Sequence, residues 1–496
     1  MPIDQDQSAG VEPEPDMLDT PSAGPAAIRG SSLRTIGYVI GVGLSVVSAP
    51  LLIRHLGPVG YGRYVRVIAL VTIVQGVTDV GLGQIGAREF AARAPSERPA
   101  LMRNLLGVRV VLTSIGVLLA GGFSAVAYGH TVLLGTLLAG IGMVLTVLQG
   151  TFAVPLAASL RLGWVSVLEL LRQVLTVAGI VTLVLAGAKL LSFLALTIPV
   201  AVAVLAVTLL VVHASTPLRP SFQRREWAPL LRAVLPFAVA SAIGTVYLRI
   251  TVVLMSLLTG ELQSGYYAIS YTVISVLIAV PALTVGSTLP ILARAARDDH
   301  ERLAYVLKRL FEVTLIVGVW LGIVFVLGAG FVVGVLTNSR SPTAVEVLQI
   351  QSVAILTQFL ATTWQYGLLS LHRHRDLLYI SVVSLTASVC LTFALVPLLQ
   401  ARGAAIAFSG AELMLAASSL LLLRRARSKF DLDRRVPSRV LCATVLAFAA
   451  AYPLDVSSLA RAIVGSAVYL AALLALRAIP QEITQALRRR TQPAGG

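Results

Sequence analysis

The sequence predicts an all-α polytopic membrane protein of about fourteen transmembrane helices, arranged as two pseudo-symmetric six-helix lobes plus two C-terminal helices. Three observations predict it. Hydrophobic residues make up 57% of the 496-residue chain and charged residues only 12%, against roughly 45–50% and 25% in soluble domains, and the mean hydropathy is +0.86. The apolar residues fall in consecutive runs of roughly 17–27, each long enough to cross a hydrocarbon core of about 30 Å. Basic residues collect in every second loop between those runs.

Residues 1–30 are acidic and rich in Pro, Ser, Gly and Ala, with Asp4, Asp6, Glu12, Glu14, Asp16 and Asp19. Such a segment buries too little apolar surface to offset its ordering entropy, and a disordered cytoplasmic tail is expected. It lacks the basic start and short apolar core of a signal peptide. Apolar runs follow at about 33–53, 63–83, 105–127, 131–154, 165–187, 190–212, 233–258, 265–291, 311–336, 346–369, 377–398, 403–423, 438–454 and 458–478. They divide into an N-terminal lobe over residues 31–215, a C-terminal lobe over 216–425 and two additional helices over 426–480, before a basic cytoplasmic tail at 481–496.

Loop charge tests the helix number. About thirty of the 39 Lys and Arg residues lie on one side, including Arg88 to Arg109, Arg294 to Arg309 and Arg424 to Arg439. About seven lie on the other: Arg54, Arg63, Arg66, Lys189, Arg340, Arg402 and Arg461. A missed or invented helix would scramble this alternation, so the helix number is even and both termini are expected in the cytoplasm, with the chain in an inner (cell) membrane. The net charge of +16 does not imply nucleic acid, because no basic run is interleaved with aromatics on a polar face. Cys390 and Cys442 sit in apolar runs, and His372 and His374 share a loop with Arg373 and Arg375 but no further ligands. Neither set has the spacing of a disulfide framework or metal site, so no metal or cofactor is expected.

The chain also repeats itself. LGPVGYGRY at 56–64 aligns with LTGELQSGYY at 258–267, pairing Gly62 with Gly265 and Tyr64 with Tyr267. Ala91-Ala92-Arg93 matches Ala295-Ala296-Arg297 at nearly the same offset. That offset spans an even number of helices, so both copies share one orientation, and substrate sites in such transporters lie between the halves.

Three segments carry a family resemblance. PLLIRHLGPVGYGRY (50–64) with TDVGLGQIGAREFAAR (78–93) resembles the opening of bacterial polysaccharide flippases. GELQSGYYAISYTVISVLIAVPALTVGSTLPILAR (260–294) is similar to their seventh-to-eighth helix region, and ALVPLLQARGAAIAFSGAE (394–412) to their eleventh-to-twelfth helix turn. Over roughly residues 30–425 the chain thus resembles the polysaccharide transporter branch of the multidrug/oligosaccharidyl-lipid/polysaccharide exporter superfamily. The resemblance implies movement of polyprenyl-linked sugar chains from the cytoplasmic to the outer leaflet. It also marks a departure: where family members often carry an acid early in the seventh helix, in a Y-x-R-x-D pattern, this chain has Thr251 after Tyr247 and Arg249.

Intramembrane charge costs at least ~2.5–3.5 kcal/mol at a helix centre, so each instance needs a reason. Arg249 lies about sixteen residues into the seventh helix, where its guanidinium is suited to bidentate binding of carrier phosphates or to a structural pairing. Arg54, Arg63 and Arg66 cluster at the outer end of the first hairpin, either as further phosphate ligands or as interfacial anchors. Glu412 and Asp79 are the candidates for carrying a coupling proton or sodium ion, the alternative being an ion pair with an arginine, Arg88 or another loop base for Asp79. Glu169 with Arg172 and Lys308 with Glu312 have the spacing of local helix pairs. Gly37 and Gly41 form a GxxxG suited to close helix packing. GLGQIG at 81–86 ends a membrane helix and does not follow a strand, so a dinucleotide site is excluded.

The function expected is a flippase for polyprenyl-(pyro)phosphate-linked oligosaccharide, not an enzyme. It would act through a cationic cavity between the lobes, with membrane lipid and polysaccharide polymerase or glycosyltransferases as candidate partners. A membrane glycosyltransferase or polymerase is the alternative from another class. It needs gathered carboxylates or histidines, whereas the outer loops offer only the scattered Glu261, Glu346 and Asp455. A small-molecule exporter of the same superfamily is a further alternative, for which arginines would serve a cationic drug poorly.

Overall fold

A computed structural model describes residues 23–79, 82–159, 161–212, 224–286, 288–338, 341–426 and 435–478. The first 22 residues of the acidic tail, Arg219, Arg340 and the basic tail at 481–496 lie outside them. All regular structure among the described residues is helical. The helices of the first half are α1 (Ala23–Asp79), α2 (Leu82–Ala92), α3 (Arg98–Ala127), α4 (His130–Phe152), α5 (Val154–Ala158), α6 (Leu162–Leu185), α7 (Leu190–Ala195) and α8 (Thr197–Val212). The second half holds α9 (Arg224–Leu258), α10 (Glu261–Gly286), α11 (Leu289–Asp298), α12 (His300–Thr337), α13 (Pro342–Ser370) and α14 (His374–Ala426). Helices α15 (Arg435–Ala451) and α16 (Ser458–Ala475) complete the chain.

Eleven helical stretches among the described residues are long and apolar enough to cross a bilayer. Two of them, α1 and α14, fold back on themselves at Gly57 and Gln400 and cross twice. The 17-residue α15 supplies the last crossing, which gives fourteen. Gly57 sits at φ +66°, a conformation open to glycine at no steric cost, and Pro58 follows where a helix can restart. Helix α1 begins at Ala23, inside the segment expected to be a disordered tail.

An even number of crossings leaves the start of α1 and the end of α16 on one face, here the terminal face; the turns at Gly57, Gly260 and Gln400 lie on the opposite, hairpin face. Gly37 and Gly41 lie against Leu170 and Gln173 of α6, and the Gln173 amide donates to the Gly41 carbonyl at 3.0 Å, which is the close packing expected of GxxxG. Helix α9 joins the halves. Near its start Trp227 and Ala238 pack on the α2–α3 cluster around Leu82, Leu105 and Val108. Its later residues Tyr247 and Thr251 bond to Glu412 and Ser388 of α14. The final pair, α15–α16, packs on α12 through Ile323, Leu327, Ala447, Ala462 and Tyr469. The Tyr469 hydroxyl donates to the Ile316 carbonyl at 3.1 Å, so the added pair is fastened to the second half alone at this contact.

Candidate functional site

The two copies of the sequence repeat meet at the hairpin face. A Cβ on Gly62 would lie 2.9 Å from the Gly265 Cα, and one on Gly265 would collide with the Pro58 carbonyl. These are the two glycines paired by the repeat: Gly62 is small because Gly265 occupies the space, and Gly265 because the Pro58 backbone does. Around this contact the halves are tied by polar side chains. Arg63 donates to both oxygens of Glu261, at 2.8 and 2.6 Å. Tyr61 donates to the Thr272 hydroxyl at 2.7 Å, which itself donates to the Ala268 carbonyl. Tyr128 reaches from the α3–α4 turn to Ser256 at 2.8 Å and to the Val253 carbonyl. Arg54 donates to the Val335 carbonyl at 3.1 Å.

The four arginines singled out in the sequence therefore occupy different environments. Arg63 is neutralised by Glu261, and Arg54 is held by a backbone carbonyl. Arg66 is 5% exposed, its guanidinium stacks 4.8 Å from the Tyr128 ring, and its Nε has no hydrogen-bond partner. The acid within its electrostatic reach is Glu261, whose two oxygens Arg63 already occupies. Arg249 lies 5.6 Å from the Tyr271 ring and within electrostatic reach of Tyr61 on the other half. Neither Arg66 nor Arg249 forms an ion pair with a described carboxylate. Burying a cation without a counter-charge costs several kcal/mol unless something else repays it. Tyr61, Tyr128 and Tyr271, aromatic partners of these arginines, escaped the sequence reading because tyrosines in apolar runs read as packing.

A second polar cluster lies inside the second half. Glu412 is fully buried; Tyr247 donates to its Oε1 at 2.8 Å, and its Oε2 has no partner. Tyr267, 1% exposed, lies near Gln351, Thr251 and Glu412, yet its hydroxyl and both polar atoms of the Gln351 amide complete no hydrogen bond. Thr251, the residue standing where relatives often have an acid, bonds Ser388 at 3.0 Å. The carboxylate of this chamber thus comes from α14 instead of α9. Gln351 was not a candidate at the sequence level, since a lone amide in an apolar run carries no signal.

Asp79 forms an ion pair with Arg109, not Arg88, and Arg109 also donates to Thr151 at 3.0 Å. Arg172 pairs with Glu169 at 3.5 Å as its spacing predicts, and also donates to Gln149. Glu312 is bound by Arg309 at 2.7 Å, one residue beyond the Lys308 named by its spacing. Among the described residues no three His, Cys, Asp or Glu side chains gather as a metal site.

Fourteen crossings, a repeat meeting face to face and the buried Arg66 at that meeting define a polytopic helical membrane bundle. Solved structures share this fold. A lipid II flippase MurJ in an inward closed conformation matches with a TM-score of 0.75 at 11% identity, over 90% of this chain and 99% of that one. An inward-facing multidrug resistance MATE family transporter of the MOP superfamily matches at 0.60 with 14% identity, over 82% and 98% of the two chains. A MOP superfamily transporter from Pyrococcus furiosus matches at 0.56 with 17% identity, over 82% and 96%. At these identities the likeness establishes the fold alone. No curated protein sequence matches the chain significantly. The chain belongs to the polysaccharide biosynthesis protein family, whose profile matches residues 27–296.

Proposed function

We propose that this protein is a flippase that carries polyprenyl-(pyro)phosphate-linked oligosaccharide from the cytoplasmic to the outer leaflet of a bacterial inner membrane. The observation that carries this reading is Arg66, a buried cation between the halves with no carboxylate of its own. A pyrophosphate or phosphate passing between the lobes supplies the missing counter-charge, and Arg249 offers a second guanidinium on the opposite side. The two-sided cationic path lets the headgroup and its sugars cross while the prenyl tail stays in lipid. With both termini cytoplasmic, the hairpin face is the outer face, and Arg63–Glu261, Gly62–Gly265 and Arg54–Val335 close it in this conformation.

Each negative charge moved outward across an inside-negative membrane releases ~2.3 kcal/mol per 100 mV, so the phosphates themselves drive export. Glu412 is the site at which a proton or sodium ion adds to that drive, since its second oxygen and the neighbouring Gln351 carbonyl oxygen are buried acceptors without donors. Asp79 serves instead as the partner that holds Arg109. Depletion of the protein in its host, followed by mass spectrometry of leaflet-sorted polyprenyl-linked sugars, tests the reading. One complete lipid-linked glycan accumulates on the cytoplasmic side if it is right. A glycan that reaches the outer leaflet and stalls unpolymerised would instead mean a polymerising enzyme.

A further inference from the structure

A cavity of about 980 Å³ opens on the hairpin face, to one side of the interface between the halves. It is walled by Arg54 of α1, Phe331 and Val335 near the end of α12, Glu346 of α13, and Asp455 and Arg461 of the α15–α16 hairpin. Its size is in the ~300–1,000 Å³ range of sites that enclose a whole small ligand. The last two helices, otherwise an appendage on α12, supply one entire wall.

The charges in this cavity do not cancel one another. Arg54 and Arg461 each donate from Nε to a backbone carbonyl, of Val335 and Leu454 respectively, both at 3.1 Å, and neither pairs with a described carboxylate. Glu346 is taken by Arg402. With Glu346 neutralised by Arg402 from outside the lining, the two arginines of the cavity face Asp455 as its one unpaired carboxylate, and each is anchored on a carbonyl without an ion-pair partner. The wall between and beside them exposes apolar side chains: Phe331, Val335 and Leu459 are 45%, 40% and 41% exposed. Phe331 lies one turn further into the membrane than Val335. Cationic forks beside exposed apolar side chains, with Phe331 a turn deeper, match one ligand chemistry, an oxyanion carried on a hydrocarbon chain.

We propose that this cavity binds the phosphate of an anionic amphiphile in the leaflet adjoining the hairpin face, with Arg54 and Arg461 on the phosphate and Phe331 and Leu459 against the chain. The phosphate has two sources in such a leaflet, bulk phospholipid or a polyprenyl phosphate. The site forms whatever the lobes transport, since of its lining only Arg54 and Val335 are shared with their interface.

The test uses the full-length protein in nanodiscs of phosphatidylcholine, with phosphatidylglycerol or polyprenyl monophosphate added, and hydrogen exchange read at residues 330–346 and 452–463. Both segments gain protection on adding an anionic amphiphile. Arg461→Gln weakens the apparent affinity roughly tenfold, the scale of one charge-assisted hydrogen bond, whereas Asp455→Asn strengthens it by removing a like charge. Protection by phosphatidylglycerol assigns the site to bulk lipid, and protection by polyprenyl phosphate alone assigns it to the carrier. Equal protection in pure phosphatidylcholine, or unchanged binding by Arg461→Gln together with no gain from Asp455→Asn, overturns the proposal.

Discussion

Arg66 sets function against stability at a single residue. A structural arginine loses stability when replaced, because its hydrogen bonds are lost and its partners stranded. Arg66 has no carboxylate to strand and only the Tyr128 ring to give up, worth about 0.5–2 kcal/mol. Arg66→Gln is therefore expected to leave thermal stability unchanged or raised while lowering transport roughly ten- to hundredfold. Arg66→Lys keeps the charge but not the fork, and an intermediate rate follows. Vesicle transport beside a melting curve checks both; a variant that melts early yet transports normally would make Arg66 structural. Glu412 gives a second expectation at this scale. Glu412→Gln retains the acceptor for Tyr247 but fixes the charge at zero. Transport by this variant should lose its response to an imposed proton or sodium gradient while still responding to membrane potential. Stimulation by those gradients equal to wild type would remove Glu412 from coupling.

The elements that matter most are the hairpin turns. Gly62 and Gly265 are in contact because α1 and α10 approach there closely enough that a methyl group cannot fit. Gly265→Ala drives its Cβ into the Pro58 carbonyl, a backbone atom that cannot swing aside. Overpacking of this kind costs typically 1–3 kcal/mol, and the cheapest relief is to separate the two turns. Spin-label distances across the hairpin face should broaden toward longer values in Gly265→Ala, with a smaller change in Gly122→Ala, where a Cβ meets open space. An unchanged distribution in Gly265→Ala would mean that the turns do not gate this face. Helix α9 is the other element of consequence, because it packs on the first half near its start and bonds into the second half beyond Tyr247.

Across the whole molecule the two halves share one continuous buried apolar cluster, running from Leu52, Ile53 and Tyr61 of the first half to Val252, Tyr267 and Ile274 of the second, and the polar ties of the hairpin face lie beside it. Arg63 and Glu261 are 35% and 43% exposed, so water competes and the pair is worth only about 0.2–1 kcal/mol. The pair therefore adds little to what the apolar cluster contributes and acts chiefly through its charge. Glu261→Arg alone sets two cations together and should shift the population toward separation on the hairpin face. Combining Arg63→Glu with Glu261→Arg should restore the wild-type distribution. Accessibility of a cysteine placed near Tyr128 measures it, and failure of the double variant to recover would mean that the closed state does not depend on this pair.

The sequence alone determined the membrane-embedded class, the fourteen crossings and the pairing of Gly62 with Gly265, since hydropathy length, loop charge and repeated motifs are local properties written along the chain. It also singled out Arg66, Arg249 and Glu412, because an ionisable residue in an apolar run is conspicuous without any fold. Which charges are already satisfied was decided only in three dimensions. Arg63 finds Glu261 across 198 residues and Arg54 finds a carbonyl 281 residues away, while Asp79 takes Arg109 over the nearer Arg88. Tyr128 over Arg66, the chamber around Glu412 and the wall that α15–α16 give to the hairpin-face cavity are likewise products of packing. The physical reason is that the cost of a buried charge depends on what surrounds it, and those surroundings come from helices far apart in the chain.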